Sequence, residues 1–142
     1  MFISGTSEVN RIIQGLFFFN AFKKKRIKIN NVMKEINLDE YTCYIGTSAK
    51  ENWEILSSAG DADIFFHLTK FPSCYVILST DGDTNVSVDV IRKAAMICKE
   101  NTKFRNIFKV SVDYTPCNNV YTGGKVGEAF FRSNRKVNRI VV

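Results

Sequence analysis

Two short apolar runs stand out along the chain. Ile64-Phe65-Phe66-His67-Leu68 follows Asp61-Ala62-Asp63, and Tyr75-Val76-Ile77-Leu78 follows Pro72-Ser73-Cys74. Short apolar runs bounded by turn residues predict buried strands. The turn Lys70-Phe71-Pro72 joins them into a hairpin at the centre of a sheet, with helices before and after it packed on one face. Residues 40–45 alternate and are rich in β formers, predicting a strand that ends at Gly46. Ser48-Ala49-Lys50-Glu51 is a capping box, with serine at the N-cap and glutamate three residues on. The helix it starts runs to about Ser58 and stops at Gly60, with Ala49, Trp53 and Leu56 on one face and Trp53 in the core.

Asp81-Gly82-Asp83 ends the second central strand. It lacks the acidic spacing and final glutamate of a calcium-binding loop. Ser87 caps a second helix through about Asn101, whose buried stripe is Val90, Ile91, Ala94, Ala95 and Cys98. Residues 108–114 alternate, with Phe108, Val110, Val112 and Tyr114 on one face. Residues 128–132 and 137–142 read as the last strands. The expected architecture is α+β, a mostly antiparallel sheet with helices packed on it. Ile64, Phe66, Val76, Leu78, Ala94, Val110 and Val112 are expected in the core.

The first 36 residues read as an N-terminal helical and basic extension, and residues 37–142 as the main domain. Val9, Ile12, Ile13, Leu16, Phe17 and Phe19 recur at helical spacing, with Thr6 or Ser7 to cap the start. Lys23-Lys24-Lys25-Arg26-Ile27-Lys28 follows, and cations complement a helix C-terminus. Gln14 and Asn20 interrupt the apolar part, which is too short to span a bilayer. Its charge comes after the apolar run, whereas a secretory signal has charge first. No signal peptide or transmembrane segment is therefore expected. The Phe17-Phe18-Phe19 face could pack on the domain, dock a protein partner, or lie on a membrane surface with its lysine run.

Charge and chemistry narrow the function. The net charge of +6 favours an anionic partner. Cys43, Cys74, Cys98 and Cys117 are dispersed, and with a single histidine there is no zinc-site spacing. They read as reduced thiols in a cytoplasmic or nuclear compartment. No nucleophile motif is present, and Thr122-Gly123-Gly124-Lys125 lacks the spacing of a phosphate loop. Asp61 and Asp63 are a carboxylate pair without further ligands. Neither catalysis nor a metal or organic cofactor is expected. Lys125, Arg132, Arg135, Lys136 and Arg139 oppose only Glu128, with Tyr121, Phe130 and Phe131 interleaved. Such cations neutralise phosphates and such rings stack on bases. The alternative is a solvated charged face with the phenylalanines in the core.

Gly46, Asn52, the run from Asp63 to His67, the run from Tyr75 to Leu78, Ala94-Ala95, Tyr114-Thr115-Pro116 and Gly127 follow one another in an order that resembles the RNA-binding domain of the NFACT family. The resemblance covers about residues 40–142 and is closest to the short, stand-alone form. It implies a non-catalytic RNA-binding domain in a ribosome, tRNA or ribosome-associated quality-control context. The implied partners are rRNA or tRNA, with DNA left open. The implied interface is His67, Lys70, Tyr114, Lys125, Arg132, Arg135, Lys136 and Arg139. His67 occupies the family's histidine position, where it would donate to phosphate or stack on a base. These 142 residues have no room for the other modules of full-length NFACT proteins. Tailing of stalled nascent chains is therefore not expected of this chain alone. The alternatives are a protein-interaction module or a peripheral membrane protein, each acting through the N-terminal helix.

Overall fold

The computed structural model of the protein describes residues 34–142. The N-terminal helix and its basic run lie outside the described residues. Strands β1 (Lys34–Leu38) and β2 (Tyr41–Ile45) are followed by α1 (Ala49–Ser57), β3 (Ile64–Leu68), β4 (Val76–Ser79) and α2 (Val88–Glu100). Then come β5 (Ser111–Pro116), a 3-10 turn, β6 (Val120–Thr122), β7 (Ala129–Phe131), a second 3-10 turn and β8 (Asn138–Val141). Among the described residues the main sheet has six strands in the order β1-β2-β4-β3-β5-β8, all paired antiparallel. A separate two-stranded ribbon pairs β6 with β7. The α+β architecture and the central β3–β4 pairing agree with the sequence pattern.

Strand side chains alternate between faces, so a continuous apolar run feeds two cores. In one core Phe66 and Leu68 meet Cys43, Ile45, Val76, Leu78 and Val112 beneath Val90, Ile91, Ala94, Ala95 and Cys98 of α2. In the other, Phe65 meets Tyr44, Tyr75 and Ile77 beneath Ile55 and Leu56 of α1. The helices therefore lie on opposite faces, not on one face as expected. Val and Ile at successive positions of β4 leave both faces apolar, and each must be covered.

Both helices start at the serine cap that the sequence indicates. The Ser48 hydroxyl accepts from the Glu51 amide and the Ser87 hydroxyl from the Val90 amide. The Glu51 carboxylate turns back one residue further than a capping box requires, to the amide and hydroxyl of Thr47. The buried side of α1 is Glu51, Asn52, Ile55 and Leu56, while Trp53 is half-buried. The expected stripe of α2 is its buried stripe.

Three details differ from the sequence pattern. Phe108 is 87% exposed, because residues 102–109 form turns and β5 begins only at Ser111. Val110 is buried outside the strand and exchanges backbone hydrogen bonds with Val142. Ile64, at the start of β3, is half-buried. β1 is an additional strand, at the edge of the sheet among the described residues, with no apolar run to announce it, since four of its five residues are exposed.

Candidate nucleic-acid interface

Several residues of the family-like pattern turn out to hold the scaffold. A Cβ on Gly46 would sit 2.1 Å from the Asn52 side-chain oxygen. That oxygen accepts from the Tyr75 amide at 3.1 Å, and the Gly46 amide donates to the Tyr75 carbonyl. Gly46 and Asn52 thus tie the start of α1 to the entry of β4. Asp63 accepts from the Gly60 and Thr80 amides, fixing the loop before β3 against the end of β4. Asn119, 2% exposed, bonds Thr115 and both backbone groups of Ser133. It anchors the segment that leaves the β6–β7 ribbon. Gly127 has a φ of +95°, and a Cβ there would sit 2.7 Å from the Ala49 Cβ. The ribbon's turn is therefore pressed against the start of α1, where the Trp53 indole also donates to the Glu128 carbonyl at 2.9 Å.

Between this ribbon and the sheet lies a cleft of about 420 Å³. Phe65, His67, Tyr75 and Asp113 line it from the sheet side, and residues 127–131 from the ribbon. His67, Asp113 and Arg139 are direct cross-strand neighbours on β3, β5 and β8, so they share this face. His67 Nδ1 is 2.7 Å from the Leu68 carbonyl oxygen. That oxygen only accepts, so Nδ1 carries a hydrogen. Burial pulls the imidazole pKa below its ordinary value, against the opposing pull of the Leu68 bond and of Asp113. A neutral ring with Nδ1–H leaves Nε2 as an acceptor. Asp113 Oδ1 accepts from Arg139 Nε at 3.0 Å and from the Thr69 hydroxyl at 2.9 Å. Burial, then the nearby Glu128, push the Tyr75 phenol up to about 12, and its hydroxyl donates to the Gly127 carbonyl.

The outer face of the ribbon carries a different chemistry. Tyr121 and Phe130 are cross-strand partners with ring centroids 5.6 Å apart, and they remain 43% and 46% exposed. The Arg132 guanidinium lies 5.1 Å from the Tyr121 ring centroid, and its Nε donates to the Asn118 carbonyl at 3.2 Å. Two exposed rings beside a held guanidinium form a stacking surface with a cation attached. Phe130 also lines the cleft, so the two surfaces adjoin.

The expected site residues are distributed unevenly over this geometry. His67 and Arg139 meet through Asp113. Lys70 is exposed in the turn after β3, next to Thr69 at the cleft. Lys125 is exposed in the ribbon's loop, with its amide bonded to Glu128. Arg135 and Lys136 are exposed on the second 3-10 turn. Tyr114 is separated from all of these. Its ring stacks on Phe66 at 5.7 Å, on the α2 face. Asp113 and Tyr75 were absent from the expected interface. Asp113 had a signal, a lone charge within an apolar alternating strand.

The architecture is an antiparallel sheet covered on both faces, with a basic, aromatic ribbon over an acceptor-lined cleft. The model of the NFACT protein RNA binding domain matches residues 30–132, and the chain belongs to that family. The family is one of RNA-binding domains, not of catalysts. Coiled-coil domain-containing protein 25 homolog of Dictyostelium discoideum is 27% identical over 105 residues, covering 69% of this chain and 50% of that protein. Coiled-coil domain-containing protein 25 of Mus musculus is 27% identical over 114 residues, covering 75% of this chain and 54% of that protein. The chain thus spans about half the length of these curated relatives. A solved structure of the C-terminal part of the fibronectin/fibrinogen-binding protein from Streptococcus suis is similar in fold. Its TM-score is 0.68 at 21% identity, covering 78% of this chain and 44% of that one. Among the described residues no helix is long and apolar enough to cross a membrane.

Proposed function

We propose that this chain is a non-catalytic RNA-binding protein of the translation apparatus, acting on rRNA or tRNA in ribosome-associated quality control within the cytoplasm. The carrying observation is the family match, which assigns an RNA-binding domain to most of the described chain. The exposed ribbon supports it physically. Tyr121 and Phe130 offer stacking faces, and Arg132, Lys125, Arg135 and Lys136 offer phosphate partners around them. His67 is half-buried and its pKa is lowered by desolvation, so it acts at the cleft and not as a phosphate-binding cation.

A salt titration of RNA binding tests this reading. Affinity for single-stranded RNA falls with salt in proportion to the phosphates contacted, with a slope of about −0.7 per contact. Neutralising Arg132, Arg135 and Lys136 together weakens binding across sequences and flattens the slope by up to roughly two units. An unchanged slope in a folded triple variant removes this surface from the interface. The N-terminal basic run then becomes the candidate, and docking to a protein or a membrane gains weight.

A further inference from the structure

We infer that the cleft between the sheet and the β6–β7 ribbon receives one unstacked guanine nucleotide, its base read by Asp113 and His67 and its phosphate held by Arg139. The inference rests on the RNA-binding reading and adds a base preference to it.

Three features of the cleft support this. Its volume, about 420 Å³, lies in the range of small-ligand sites. It is flanked by aromatic rings, Phe65 and Phe130 among them, which suits a flat ring system. The polar groups that face it are acceptors. Both bonds to Asp113 fall on Oδ1, and Oδ2 takes none among the described residues. His67 spends its hydrogen on the Leu68 carbonyl, so Nε2 has only a lone pair to offer. Tyr75 likewise spends its hydroxyl hydrogen on the Gly127 carbonyl.

An acceptor-lined site selects bases by their donors. The Watson–Crick edge of guanine presents N1–H and the 2-amino group side by side, which matches a carboxylate. Adenine and cytosine present one amino group beside an acceptor nitrogen. Uracil presents one N–H between two carbonyls, which would face the acceptors of the cleft and leave polar atoms unpaired. Arg139 uses Nε on Asp113, and its side chain is 57% exposed. Its outer N–H groups are available to a phosphate at the mouth.

The test uses the full chain. It has one histidine, so every imidazole proton resonance reports His67. Titration with 5′-GMP shifts those resonances, and inosine monophosphate, which lacks the 2-amino group, binds about ten-fold more weakly. Equal shifts with GMP, AMP, CMP and UMP, or no shift with any, overturn the inference. In parallel, a short oligouridine carrying one guanosine binds about ten-fold more tightly than oligouridine alone. Asp113→Asn, with folding checked by thermal melting, removes that difference. Should this variant fail to fold, the guanosine-to-inosine exchange in the RNA gives the same measurement on the unaltered protein. Strong salt-dependent binding without a guanosine preference overturns the cleft assignment and leaves RNA binding standing. A GMP-dependent His67 shift without affinity for any oligonucleotide does the reverse.

Discussion

On one face of the sheet a thirteen-residue helix covers Phe66, Leu68, Val76, Leu78 and Val112 and leaves an apolar core. On the other, a nine-residue helix covers Tyr44, Phe65 and Ile77 and shares the remainder with the short β6–β7 ribbon. The first face is closed mainly by aliphatic and aromatic side chains, with the thiols of Cys43 and Cys98 among them. The second has His67, Asp113 and Tyr75 within its cover, each with a hydrogen-bond partner. A short helix and a ribbon cannot close a face as one longer helix does. The space left over is the cleft, which His67, Asp113 and Tyr75 line. Dense apolar packing and the polar cleft are thus divided between the faces.

Truncations give the largest contrast. Phe66→Ala, fully buried on the α2 face, should cost about 3–5 kcal/mol by urea denaturation. Phe131→Ala, half-buried under the ribbon, should cost only about 1 kcal/mol, by the smaller area it removes from water. Equal losses would mean that the cleft face is packed as tightly as the other, and the contrast would fail.

Gly46→Ala probes the clamp that positions α1 on the cleft face. The added methyl meets the Asn52 side chain and also its backbone at 3.0 Å, so relief by rotation is incomplete. A loss of about 1–3 kcal/mol in thermal or chemical unfolding is expected. Unaltered stability would show that the Asn52 bond to Tyr75 is not what seats the helix.

Tyr121→Ala separates binding from folding. The ring is exposed, so stability should change by less than about 0.5 kcal/mol. RNA affinity should fall by about 1–3 kcal/mol if a base stacks there. Loss of stability without loss of affinity would make the aromatic pair a structural strut of the ribbon.

The smallest effect is the pH dependence of His67. Burial lowers its pKa, so the unfolded chain takes up a proton more readily than the folded one. Its contribution is intact above the unfolded value of about 6.5 and is lost as the pH falls through that value toward the folded one. Melting temperature should therefore drop on acidification from about pH 7.5 to 5.5, and His67→Gln should lessen the drop. An identical pH profile in the variant would place the imidazole in a freely solvated setting.

Much of the scaffold was legible in the sequence, and the misreadings have physical causes. The β3 and β4 runs, the caps at Ser48 and Ser87 and the stripe from Val90 to Cys98 rest on near-neighbour rules. Phe108 was misplaced because alternation continues through it while the chain is still turning before Ser111. β1 was missed because its five residues, four of them exposed, hold only Ile36 and Leu38 as apolar positions. Placing both helices on one face overlooked the meaning of an unbroken apolar run, which needs cover on two sides. Of the candidate site, the cations were visible as charge and His67 as a singular residue. Asp113 was overlooked because its partner Arg139 lies 26 residues further along the chain.

By itself, the order of residues determined the α+β elements, their caps, the basic character of the C-terminal part and membership of a recognisable RNA-binding family. These follow from local periodicity, capping chemistry and composition, which need no knowledge of distant neighbours. Only the tertiary structure decided that Tyr114 faces away from His67, that Gly46, Asn52 and Asp63 hold the scaffold, and that His67, Asp113 and Arg139 form a row across β3, β5 and β8. A strand side chain's face is set by register with strands brought from elsewhere in the chain, and a slip of one residue would exchange the two faces.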